Sequence, residues 1–243
     1  MERPAGREPD WLSLPPAAGR WSELGVDGAR VWTPAQATDR VLVAHDGPDY
    51  DKHAGLGRYV AASITAGRIP PYRLVLLPAV DRLETYAASP AYARHLSQEI
   101  LPRVAGGLVV GMGASLGALA MLHCQRRHPA SFAALFLQSG SFFQPRFDKQ
   151  ESGFARWLRI VRFTGRVLRA SGGPPVPVPV TMTCGRHEEN LANNRSMADA
   201  LRSQDYPVVF AENEGGHDWP AWRDALDPHL TSLLNGLERS RSG

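Results

Sequence analysis

Short apolar runs alternate with segments of helical spacing along the chain, and this alternation constrains the fold more than any other feature of the sequence. The runs are Val31-Trp32, Val41 to Ala44, Leu74 to Leu77, Leu108 to Val110, Ala134 to Leu137, Val178 to Met182 and Val208 to Phe210. Most are apolar at nearly every position, which implies strands covered on both faces. Helical spacing fills residues 54–66, 88–104, 116–128, 154–170, 191–203 and 219–237. Such alternation predicts an α/β fold with a mostly parallel, doubly wound sheet and helices on both faces. No internal repeat or low-complexity linker interrupts it, although Ser171 to Pro179 is a stiff, Pro-rich connection. The expected organisation is an N-terminal arm over residues 1–25, rich in Pro, Gly and charge, followed by one domain over 26–243.

Composition narrows the partners. A chain of 243 residues buries enough surface for one sizeable core without staples. Its two cysteines, Cys124 and Cys184, are far apart and lack metal-ligand spacing, so reduced, packed thiols are expected, with neither metal nor cofactor. The net charge of +3 comes from basic residues that are nearly all arginine and form no dense block, which argues against nucleic acid. Met1 to Asp10 carries charge and proline in place of an apolar leader, and no run approaches the roughly 20 apolar residues of a membrane span. The expectation is a cytoplasmic protein with no membrane partner; a homo-oligomer is left open.

In open α/β sheets, ligands bind beyond the carboxyl ends of the strands. Those positions read His45-Asp46-Gly47, Asp81-Arg82, Ser115, Ser139-Gly140-Ser141, Glu188-Glu189 and Gly215-Gly216-His217-Asp218. Gly113-Ala114-Ser115-Leu116-Gly117 has the G-x-S-x-G pattern between a strand and a helix, the setting of a nucleophile elbow, in which a sharp turn presents the serine hydroxyl. A serine, then an acid after a late strand, then a histidine after the last strand is the order of a hydrolase triad. Ser115 is thus the expected nucleophile and His217 its base, with Glu188 favoured over the adjacent Glu189 as the acid that orients the imidazole. Asp218 is expected to cap the final helix, where Pro220 suits the first turn.

An oxyanion hole for this site would use the amide of Leu116 and one amide from the loop after Ala44. Pro48 has no N–H, which leaves Gly47 or Asp49. Arg82 and Glu84 are expected to pair at the rim. Phe154 to Arg169 forms a basic amphipathic helix in which Trp157 and Phe163 alternate with Arg156, Arg159 and Arg162. Expected substrate contacts are Arg82, Phe142, Phe143, Trp157 and Trp219, a set suited to an ester with an aromatic or anionic portion.

From about residue 30 to 235 the chain resembles the esterase D and enterochelin esterase group of α/β hydrolases. The resemblance is carried by Asp46-Gly47, Arg82-Leu83-Glu84, Gly113 to Gly117, Gln138-Ser139-Gly140-Ser141-Phe142, Cys184 to Leu191, Gly215 to Trp219, and Trp222-Arg223. It implies the α/β-hydrolase fold with a short helical cap at about 145–173. It also implies a serine carboxylic ester hydrolase that works through an acyl-enzyme on a small-molecule ester, with a siderophore ester of the enterochelin type as the sharper option. An acyltransferase on the same fold and a non-catalytic binding module are the alternatives. In relatives the residue after the Asp-Gly pair can donate to the oxyanion; here it is Pro48, so the hole must be built differently or be weaker.

Overall fold

Eight strands form one sheet in the structure, a computed structural model that describes residues 8–104, 106–172 and 176–242, with side chains described to residue 237. They are β1 Gly19–Glu23, β2 Arg30–Pro34, β3 Arg40–Ala44, β4 Arg73–Leu76, β5 Leu108–Ala114, β6 Ala134–Gln138, β7 Val180–Gly185 and β8 Val208–Asn213. The helices are α1 Gly47–Ala54, α2 Leu56–Thr65, α3 Arg82–Tyr86, α4 Pro90–His95, α5 Leu101–Val104, α6 Leu116–Arg127, α7 Trp157–Leu168, α8 Leu191–Arg202, α9 Trp219–Asp224 and α10 Thr231–Ser242. A wide turn over Leu96–Ile100 carries α4 into α5, and a kinked one over Leu226–Leu230 carries α9 into α10.

The strand order is β1-β2-β4-β3-β5-β6-β7-β8. β2 pairs antiparallel with β1 and β4, and every pair from β4 to β8 is parallel. After β4 the chain crosses to the other side of β3 to form β5, so the order reverses there and opens a crevice at the carboxyl ends of the central strands. Ser115 follows β5 directly.

Continuous apolar strands make sense because both faces of the sheet are covered. Successive strand residues point to opposite faces. Val41, Val43 and Val75 join the core beneath α4, α6, α7 and α8, while Leu42, Ala44, Leu74 and Leu76 join the core beneath α1, α2, α9 and α10. Cys124 and Cys184 are buried free thiols, and burial pushes Cys124 up to about 12. Among the described residues no helix is long and apolar enough to cross a membrane.

Several elements differ from the sequence expectation, among them α3, which lies outside every expected helical segment. β1 lies inside the segment expected to be an arm; all five of its residues are exposed, so it carries no apolar pattern. Ahead of it the arm docks through Trp11, which is buried edge-on to Tyr59 with ring centroids 5.5 Å apart. α1 begins seven residues before the expected helix, with proline in its first turn, where a missing N–H costs nothing. α7 is the crossover between β6 and β7. Its Ile160, Phe163 and Val167 share a core cluster with α6, so it belongs to the helical layer beside the sheet.

Candidate functional site

Ser115 sits at the elbow with φ 56° and ψ −122°, a backbone conformation that side chains rarely adopt. Local packing imposes it. A Cβ on Gly113 would lie 2.5 Å from the carbonyl carbon of Gly117, so strand and helix can meet this closely only when residue 113 is glycine. The Ser115 amide donates to Gln138 O at 2.9 Å, and its carbonyl accepts from Leu119 N at 3.2 Å and Ser141 N at 3.1 Å. The side-chain oxygens of Ser115 and Ser141 are 3.1 Å apart.

Glu188 and His217 come from the loops after β7 and β8. The Nδ1 of His217 donates to Glu188 Oε2 at 2.7 Å, while Glu188 Oε1 accepts from Ser139 Oγ at 2.7 Å and from Gly185 N at 2.7 Å. Burial pushes the Glu188 carboxyl up. The hydrogen bonds from His217, Ser139 and Gly185 outweigh it and hold the group below its ordinary value, so it is an anion. Ser139 is fixed in turn by the indole of Trp222, which donates to its Oγ at 3.0 Å. The Trp222 ring also meets His217 edge-on, with centroids 5.1 Å apart. The imidazole is thus held by a carboxylate on one nitrogen and an aromatic edge on its side. Glu189 is exposed. Asp218 caps α9 through Ala221 N at 2.9 Å.

Ser115, Leu116, Ser141, Glu188 and His217 open onto one cleft of about 270 Å³. Arg82, Leu83, Phe143, Asp148, Glu151, Phe154, Glu189 and Asn190 complete its lining. The segment expected to cap the site therefore divides. Residues between Phe143 and Phe154 overhang the cleft, whereas α7 does not line it.

The corner after β3 holds different chemistry. Arg82 grips Asp46 with both ends of its fork, Nε to Oδ1 and Nη2 to Oδ2, each at 2.9 Å. The expected Arg82–Glu84 pair is absent because Glu84 faces the other way and takes Arg156 at 2.6 Å and Arg159 at 2.7 Å. His45 is fully buried between Gly117 O, at 3.0 Å from Nδ1, and the Tyr92 hydroxyl, at 2.8 Å from Nε2. Burial lowers it to about 4, so the ring is neutral. The amide of Gly47 donates to Leu77 O at 2.9 Å, which occupies one of the two expected oxyanion donors. Asp49 is exposed in the first turn of α1 and does not line the cleft.

Of the expected substrate contacts, Arg82 and Phe143 line the cleft. Phe142 is fully buried in the core. Trp157 packs against Phe143, centroids 5.4 Å apart, one layer behind the lining. Trp219 turns to the opposite helical layer, stacked on His53 at 5.6 Å and edge-on to Tyr50 at 5.1 Å. Of the arginines expected to attract an anion, Arg156 and Arg159 share the single carboxylate of Glu84, and none of Arg156, Arg159 and Arg162 lines the cleft. Ser139 and Ser141 received no role from the sequence. Their position just past a strand end was the available signal. Among the described residues no group of three or more His, Cys, Asp or Glu could hold a metal ion.

Residues 30–233 match the model of a family named Esterase and described as "Putative esterase". The chain is 25% identical over 187 residues to the iron(III) enterobactin esterase of Escherichia coli (strain K12), covering 72% of this chain and 44% of that protein. It superposes on the enterobactin esterase of Shigella flexneri with TM-score 0.75 at 22% identity, over 98% of this chain and 65% of that one. A feruloyl esterase module from Clostridium thermocellum superposes with TM-score 0.61 at 14% identity, over 96% and 94% of the two chains. These superpositions give the fold, that of the α/β hydrolases. The chain spans less than half the length of the E. coli relative.

Proposed function

The chain belongs to the Esterase family, and from that premise we propose that it is a serine-dependent carboxylic ester hydrolase with Ser115 as nucleophile, His217 as general base and Glu188 as the carboxylate that orients it. The carrying observation is the 2.7 Å bond from His217 to an anionic, buried Glu188 in the cleft where Ser115 is presented by its elbow. The carboxylate fixes the tautomer in which Nδ1 carries the proton, leaving Nε2 to accept one. Ser115 attacks the ester carbonyl while its proton passes to Nε2. The imidazolium, stabilised by Glu188, then returns that proton to the leaving alcohol. Water repeats the sequence on the acyl-enzyme and releases the acid. The catalytic unit in this reading is one sheet-centred domain that begins before residue 26, since β1 pairs with β2 and Trp11 joins the core.

The substrate proposed is a small ester with an aromatic portion. Phe143 and Phe154 flank the cleft and offer ring faces for it. The relatives' names, which refer to enterobactin and feruloyl esters, point the same way. An anionic portion has less support, since Glu151 and Glu189 also line the cleft and Arg82 is held by Asp46.

The test is steady-state hydrolysis of a p-nitrophenyl ester and of a feruloyl ester by the wild type and by Ser115→Ala. Hydrolysis of both by the wild type, with a preference in kcat/KM for the aromatic acid and orders-of-magnitude loss in the variant, is expected. Hydrolysis retained within a few-fold by Ser115→Ala contradicts the proposal.

A further inference from the structure

We propose that the side-chain hydroxyl of Ser141 is the second oxyanion donor of this site, taking the place of a backbone amide from the β3–α1 corner. The proposal rests on the reading of Ser115 as nucleophile and deepens it. A tetrahedral intermediate needs donors already aimed at the oxygen on which charge develops, and one such donor is usual at the start of the helix after the nucleophile. Leu116 fills that place: it is the first residue of α6, so its N–H has no partner within the helix, and it lines the cleft.

A second amide from the β3–α1 corner is not to hand. His45 N donates to Met112 O at 3.0 Å, Asp46 N to the Tyr86 hydroxyl at 3.3 Å and Gly47 N to Leu77 O at 2.9 Å. Pro48 has no N–H, and Asp49 lies outside the cleft. Two polar side chains of the cleft are engaged elsewhere. Arg82 uses Nε and Nη2 on Asp46, and Asn190 Nδ2 donates to Ser139 O at 2.9 Å.

Ser141 meets each requirement. Its Oγ is 3.1 Å from Ser115 Oγ, it lines the cleft, and it is only 5% exposed. It is also preorganised. Its amide is tied to Ser115 O at 3.1 Å, and Gly140 before it is clamped by Asn194, which accepts from Gly140 N at 2.9 Å and donates to Gly140 O at 3.0 Å. Phe142 after it is anchored in the core. In the step itself the Ser115 Oγ to carbonyl carbon bond forms, the carbonyl π pair moves onto its oxygen, and the Ser115 proton passes to His217. Ser141 keeps its own proton throughout and donates it in a hydrogen bond to the new oxyanion.

The experiment compares Ser141→Ala and Ser141→Cys with the wild type on a p-nitrophenyl ester, and measures binding of a phenylboronic acid, which becomes tetrahedral on an active serine. Loss of one preorganised donor is expected to lower kcat by about 100-fold or more with KM little changed. The boronic acid should weaken in parallel, while a non-reactive amide analogue of the substrate binds as before. Cysteine keeps the shape but is a weak donor, so it should follow alanine. A purely structural role would instead move the melting temperature and the amide analogue's affinity. Either variant folded and within a few-fold of wild-type kcat, with boronic acid affinity retained, overturns the proposal while leaving Ser115 as nucleophile. A wild type that neither hydrolyses the ester nor binds the boronic acid overturns both.

Discussion

The corner after β3 and the paired loops after β7 and β8 lie at the same edge of the sheet, yet they use their polar groups in opposite ways. In the corner, Asp46 is closed by Arg82, His45 by Gly117 and Tyr92, and the amides of residues 45–47 by neighbouring backbone and Tyr86. In the paired loops, Glu188 is satisfied from behind by Ser139 and Gly185 and presents its remaining oxygen to His217, whose side chain stays 43% exposed. A strand-end position makes a residue eligible for chemistry. Whether its donors and acceptors are already matched decides whether it braces the site or acts in it.

If this division is right, damage to the open region reads out in turnover and damage to the closed corner in stability. The largest effect is expected for His217→Ala, which should lower kcat by about 10⁴-fold or more with little change in melting temperature. Next comes the adjacent carboxylate pair. Glu188→Gln should lower kcat by roughly 10³-fold or more, since the amide cannot stabilise the imidazolium, whereas Glu189→Gln should stay within a few-fold. A larger loss for Glu189→Gln would reverse the assignment.

Acid separates the two regions by pH window. His45 is lowered from 6.5 to about 4, so between those values the unfolded chain takes up a proton that the folded chain does not. Stability should therefore fall on acidification from 6.5 toward about 4, by up to about 1.4 kcal/mol per pH unit from this group. Glu188 is also depressed, but from 4.5; its contribution is present above that value and is lost as pH falls through its folded value, so it follows later. Melting temperatures of the wild type and His45→Gln across this range check the order. The variant should show a shallower fall in the first window.

The smallest effects distinguish two arginines. Arg82→Ala leaves the Asp46 carboxylate, 7% exposed, without its partner and should cost about 1–3 kcal/mol, reduced from the fully buried case by the partial exposure of Arg82. Arg156→Ala breaks an exposed pair and should cost less than about 1 kcal/mol. Equal losses in denaturant titration would remove the distinction between a matched corner and a solvated rim.

The sheet was legible because its central strands are apolar at nearly every position, a pattern that only two-sided burial accounts for. The elbow and the Ser, Glu, His order were legible because each sits next to such a run. β1 was not, since its exposed residues carry no periodicity, and neither was α1, whose Gly-Pro start resembles a turn. The Arg82–Asp46 grip joins residues 36 apart, and local sequence contains no record of it. Phe142 and Phe143 are the instructive pair. Adjacent and chemically identical, they go to the core and to the cleft, so composition does not set their direction; the turn that Phe142 N closes on Gly140 O lies between β6 and Phe143.

Covalent capture tests the central claim most directly. The wild type and Ser115→Ala are incubated with a fluorophosphonate probe and their intact masses and labelled peptides compared. The account predicts one adduct on Ser115 in the wild type, none in Ser115→Ala, and much slower labelling of His217→Ala. A wild type that takes no adduct, or an adduct that persists in Ser115→Ala, would contradict it.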